Sequence, residues 1–143
     1  MEAFKIALFE QEYVYSFPSY RSLPLSEAQA LQARIASRFG LKASRAPTEF
    51  ASALASRQTY SHGVNAEDNF SLLPMLTALG ITPLPELFIN WGRFEELDTF
   101  QTADVARYFN NLWYPVADDI DLFDASVNWV VSIRHDGVVS FIC

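Results

Sequence analysis

The chain has 143 residues, half of them apolar, and a formal net charge of −7. That length and apolar content suit one domain with its own core and exclude bulk disorder. No uncharged apolar run approaches the roughly 18 residues of a membrane span, and the acidic balance argues against nucleic acid and anionic membranes as partners.

Met1-Glu2-Ala3-Phe4-Lys5 lacks a charged region followed by an apolar one, so no signal peptide is expected. The single cysteine, Cys143, can form no intrachain disulfide, and the expected compartment is the cytoplasm. Phe4 to Phe9 (FKIALF) suits a first strand, Glu10-Gln11-Glu12 a turn and Tyr13-Val14-Tyr15 a second short strand. Pro18 and Pro24 bracket a loop that cannot be a central strand, because proline donates nothing to a ladder. Ser26 and Gln29 have the spacing of a capping box. They open a helix whose buried stripe is Ala28, Leu31, Ile35 and Phe39 and whose end is Gly40.

Thr48 caps a second helix, burying Phe50, Ala51, Leu54 and Ala55 and ending near Tyr60, before His62-Gly63. Asn65 to Phe70 reads as a polar loop. Ser71 caps a third, short helix that accepts Pro74 in its first turn and closes at Gly80. Leu87-Phe88-Ile89 is a brief strand, and Glu95 to Phe100 is either a turn or one helical turn. Thr102 caps a last helix with Val105, Phe109, Leu112 and Trp113 as its stripe, ended by Pro115.

The C-terminal stretch carries the clearest signal. Asp136-Gly137 suits a type I′ turn, which needs positive φ at both central residues. That turn pairs His135 with Val138, Ile133 with Ser140 and Val131 with Ile142. Trp129, Val131, Ile133, Val138 and Ile142 then share one face, and Val130, Val139 and Phe141 the other. Both faces are apolar, so the strands belong inside a covered sheet. Ile120 to Phe123 supplies a third antiparallel strand, with Ala125-Ser126 in the turn and the aspartates at strand ends. The expected fold is α+β: a single domain over residues 1–143, with an antiparallel sheet ending in a C-terminal β-hairpin and about four helices packed on it.

Standard catalytic motifs are missing: there is no phosphate loop, no HExxH, no nucleophile elbow and no His or Cys pair at metal spacing. His62 and His135 read as solvated loop residues, and no cofactor is expected. Asp118, Asp119, Asp121 and Asp124 are the one cluster with chemical potential, since hard cations take oxygen ligands. The cluster lacks the glycine and terminal glutamate of a calcium loop. Its alternatives are a metal-dependent hydrolase using Asp118, Asp119 and Asp121, or an acidic adaptor or structural subunit.

Through Ser71, seven basic residues balance seven acidic ones, whereas from Leu72 onward three face ten. The whole negative excess therefore lies in the second half, a field that attracts a basic partner. Trp113 and Trp129 read as core, but Trp91 and Tyr114 stand at predicted element ends beside Glu95, Glu96 and the aspartates. Aromatic anchors within an acidic rim suit a binder of a basic protein. The candidate partner-binding residues are Trp91, Glu95, Glu96, Tyr114, Asp118, Asp119, Asp121 and Asp124.

At Trp113-Tyr114-Pro115, Asp118-Asp119-Ile120, Phe123-Asp124 and the Trp129…His135-Asp136-Gly137 hairpin, the chain resembles bacterial immunity proteins. These belong to polymorphic-toxin and contact-dependent growth inhibition systems. The resemblance covers about residues 87 to 142. It implies a non-enzymatic protein that binds and neutralises one cognate toxin, with basic nucleases common among such toxins.

Overall fold

The computed structural model describes residues 1–42 and 47–143. In chain order it comprises α1 (Ala3–Glu12), β1 (Tyr20–Ser22), α2 (Leu25–Phe39), α3 (Pro47–Arg57), β2 (Thr59–Asn65), α4 (Leu72–Ala78) and β3 (Glu86–Asn90). There follow β4 (Leu97–Gln101), α5 (Thr102–Arg107), α6 (Phe109–Leu112), β5 (Ile120–Phe123), β6 (Val130–Ile133) and β7 (Val138–Ile142). The strands form one sheet in the order β1-β4-β3-β5-β6-β7-β2, antiparallel throughout. The α+β class and the C-terminal hairpin are as the sequence predicts. No helix among the described residues is long and apolar enough to cross a membrane.

The sheet is covered on both faces. On one, Leu72, Leu76, Val105, Phe109, Leu112 and Trp113 from α4 to the end of α6 pack on Leu87, Ile89, Ile120, Leu122, Val131 and Ile133. On the other, Ala28, Leu31, Ile35 and Phe39 of α2 join Phe50 and Leu54 of α3 over Leu97, Phe123 and Val130. This is why the last three strands are apolar on both sides. The α2 stripe is buried in full, and Gly40 at φ +65° ends that helix as expected.

Several elements differ from expectation. Residues 4–9 are helical, not a strand, and Tyr13 to Tyr15 carry no strand. A six-residue apolar run satisfies either period, and Ala, Leu, Lys and Glu around it favour helix. The Ser26 capping box does not form, because Pro24 is the N-cap and its carbonyl accepts the Glu27 and Ala28 N–H groups. Thr48 lies inside α3 rather than capping it, and Ala55 is exposed. Residues 59–65 form an edge strand, with an irregularity between Tyr60 and Asn65 around Gly63 (φ +77°). Residues 97–101 are a strand, and the last predicted helix breaks at Tyr108. With α1 added and that helix split, six helices rather than about four are described.

The hairpin register is also shifted by one residue. Ile133 pairs with Val139, Ser132 with Ser140 and Val131 with Phe141. Of the two turn residues only Gly137 has positive φ, at +82°. Gly137 N–H donates to Arg134 O (2.7 Å) and Arg134 N–H to Val138 O (3.0 Å). The connection is thus a three-residue loop ending in a left-handed glycine, not a type I′ turn. The shift places Val139 and Phe141 on the face of Val131 and Ile133, with Ile142 opposite.

Candidate functional site

α1 packs through two residues one turn apart. Phe9 enters a ring cluster with Tyr13, Tyr15, Phe17 and Tyr108. Lys5, only 1% exposed, enters a polar socket. Its Nζ donates to Leu112 O (2.9 Å) and to Asp118 Oδ2 (2.7 Å). The same ammonium lies 4.4 Å from the Trp91 ring centre and 5.1 Å from that of Tyr114. A charge leaves water only when paired and hydrogen-bonded, and Lys5 is both. Asp118 Oδ2 also accepts the Tyr114 N–H (2.7 Å). Lys5 is therefore the hub that gathers Trp91, Tyr114 and Asp118.

The β3–β4 loop joins them. Asn90 Oδ1 accepts the N–H groups of Gly92 and Phe94, and Trp91 Nε1 donates to Asp98 Oδ2 (2.8 Å). Gly92 takes up φ +118°, and a Cβ there would stand at ordinary van der Waals distance, 3.8 Å, from Asp119 O. Glu95 and Glu96 remain exposed, and with Trp91 and Arg93 they line a small cleft of about 200 Å³. Asp119, also exposed, accepts from His135 N–H (2.8 Å) and lies 2.9 Å from its Nδ1. Burial pushes the Asp119 carboxyl up, but the His135 hydrogen bonds and charge outweigh it and hold the pKa below the ordinary value. The hydrogen bond and charge of Asp119 raise the His135 pKa in turn. Burial, with the charges of Asp118 and Glu12, raises that of Tyr114.

Six of the eight candidates thus share one region: Trp91, Glu95, Glu96, Tyr114, Asp118 and Asp119. The other two do not: Asp121 lies within β5 rather than at its end, and Asp124 stands at the end of β5 but is buried. Asp121 is mid-strand and buried, in a row with Asn90, Ser132 and Ser140 across four strands. It accepts from Asn90 Nδ2 (2.8 Å) and Ser132 Oγ, with Arg134 at 3.4 Å. Gln58 bridges Ser132 and Ser140 above it. Asp124 is buried where it gathers the N–H groups of Leu84 and Ser126, the Ser126 hydroxyl and Trp129 Nε1. Both carboxylates are spent on internal donors and can meet no partner.

The ligand set of the hydrolase alternative is dispersed: Asp118 turns to Lys5, Asp119 to His135 and Asp121 to the interior. Among the described residues no three His, Cys, Asp or Glu side chains are placed to hold one ion. Two larger open clefts, of about 760 and 530 Å³, flank Gly63 and Val64 of β2 and contain none of the eight candidates. Sequence reasoning missed Lys5, whose lone charge within an apolar run was the available signal. Comparison with protein-family models, curated proteins and solved structures gives no match to this chain.

Proposed function

We propose that the chain is a non-enzymatic binding protein that engages a basic protein through the face of Trp91, Glu95, Glu96, Tyr114 and Asp119. The partner we propose is a toxin, neutralised in the cytoplasm; the resemblance to immunity proteins supplies that identity. One observation carries the binding reading. Lys5 is buried and paired, while the exposed Asp119, Glu95 and Glu96, with the exposed cation Arg93 beside them, stand around two half-buried aromatic rings. Exposed carboxylates steer a basic surface into encounter, and aromatic rings supply anchors once covered.

The test is co-production with a basic toxin domain encoded beside this chain. Rescue of growth and a stable purified complex are expected. Association should slow as salt rises, because screening acts over about 8 Å at physiological ionic strength. Joint replacement Glu95→Gln, Glu96→Gln and Asp119→Asn should slow association more than it speeds dissociation. Unrelieved growth arrest with no complex would reject the reading.

A further inference from the structure

A surface helix ordinarily turns its charges to water and its apolar residues inward. α1 does the reverse at its centre. Lys5 is buried, while Phe4 and Leu8, one turn apart on the adjoining flank of the helix, are 50% and 47% exposed. Phe4 meets Tyr114 edge-on, with ring centres 5.9 Å apart. Two residues beyond Tyr114, Val116 is 84% exposed at φ +73°, a left-handed conformation that a β-branched residue rarely adopts. Its N–H donates to His135 O (2.7 Å), which fixes it there. Phe4, Leu8 and Val116 nonetheless leave about half or more of their surface in water. Large apolar side chains exposed near one another and flanked by carboxylates are the mark of a contact surface.

The rim states what covers it. Glu2, Glu10 and Glu12 are exposed on or beside α1, and Asp119 lies past Val116. The only cation of α1 is the buried Lys5. Of the exposed cations on neighbouring segments, Arg107 lies over the Tyr108 ring and Arg93 lies beside Trp91; His135 is tied to Asp119. A second copy would set carboxylates against carboxylates, whereas a basic surface with an apolar centre would meet both rim and patch.

We infer that Phe4, Leu8, Tyr114 and Val116 form the apolar centre of a docking surface for a basic protein, with Glu2, Glu10, Glu12 and Asp119 as its rim. This rests on the binding function proposed above and adds α1 as the anchor. The probe is the same basic toxin domain, with surface-plasmon kinetics on Leu8→Glu, Phe4→Ser and the control Leu73→Glu. Leu73, 41% exposed on α4, lies outside the patch. Leu8→Glu and Phe4→Ser should each weaken binding at least about tenfold, mainly through faster dissociation, with circular dichroism unchanged. Leu73→Glu should bind as the wild type does. Wild-type affinity in Leu8→Glu, with a binding wild type, overturns this inference and leaves the acidic-face reading standing. A wild type that binds no basic domain overturns both. A wild-type dimer in sedimentation that Leu8→Glu converts to monomer assigns the patch to a second copy and overturns the inference as well.

Discussion

Replacing Lys5 with Met keeps most of the stem and removes the ammonium. Leu112 O then loses its donor, Trp91 and Tyr114 lose a cation at their rings, and Asp118 is left charged beside them. Removing one partner of a buried ion pair costs about 3–5 kcal/mol. The Asp118 side chain keeps 12% exposure and its bond from Tyr114 N–H, which places the loss near the low end, about 3 kcal/mol. That is a large part of the roughly 5–15 kcal/mol of a typical domain, and corresponds to a fall in Tm of about 10 °C. The double variant Lys5→Met/Asp118→Asn should recover most of the loss. Its amide oxygen still accepts the Tyr114 N–H, and no uncompensated charge remains. Urea unfolding at neutral pH, followed by far-ultraviolet circular dichroism, measures all three proteins. A single-variant loss below about 1 kcal/mol, or a double variant no better than the single, would refute the buried-hub account.

Asp124→Ala strands the N–H groups of Leu84 and Ser126 and the Trp129 indole, so a loss of at least about 3 kcal/mol is expected in urea. Exposed Glu95→Gln should stay within about 0.5 kcal/mol in the same assay. Gly137→Ala and Gly63→Ala both place a Cβ at positive φ, but only the first drives it into the Asn65 side chain. Thermal scans should therefore show Gly137→Ala well below Gly63→Ala, whose cost is conformational strain alone, about 1–2 kcal/mol. Because the folded His135 pKa is raised, its pairing with Asp119 is fully present below the unfolded histidine value and fades as pH rises through the folded one. The lowered Asp119 pKa sets the other limit: its contribution is present above the unfolded carboxyl value and is lost as pH falls through the folded one. Proton NMR titration of His135 should show the raised midpoint in the wild type and its return toward the ordinary value in Asp119→Asn.

Local chemistry was enough to fix what repeats locally. The spacing of Ala28, Leu31, Ile35 and Phe39 specifies the buried side of α2, and Gly40 its end, because helix period and left-handed glycine need no distant partner. Apolar runs on both sides of residues 120–142 specify a sheet covered on two faces, and helices on both faces supply that cover. That six of the candidate residues stay exposed or half-buried was legible for a related reason: aromatics and carboxylates at element ends are placed by the ends themselves.

Tertiary structure alone decided the rest. FKIALF fits either period, and the helix that its flanking residues favour is held because Lys5 and Phe9, four apart, each find a socket across the chain. Lys5 meets Asp118, 113 residues away. The hairpin register turned on a single φ at Asp136, and one residue of slip exchanged the two faces of β7. Asp121 and Asp124 read as surface charges because one donor to each, Asn90 and Leu84, lies 31 and 40 residues earlier. A carboxylate is at home inside a protein only where converging donors replace its water, and convergence belongs to the fold rather than to any local stretch of sequence.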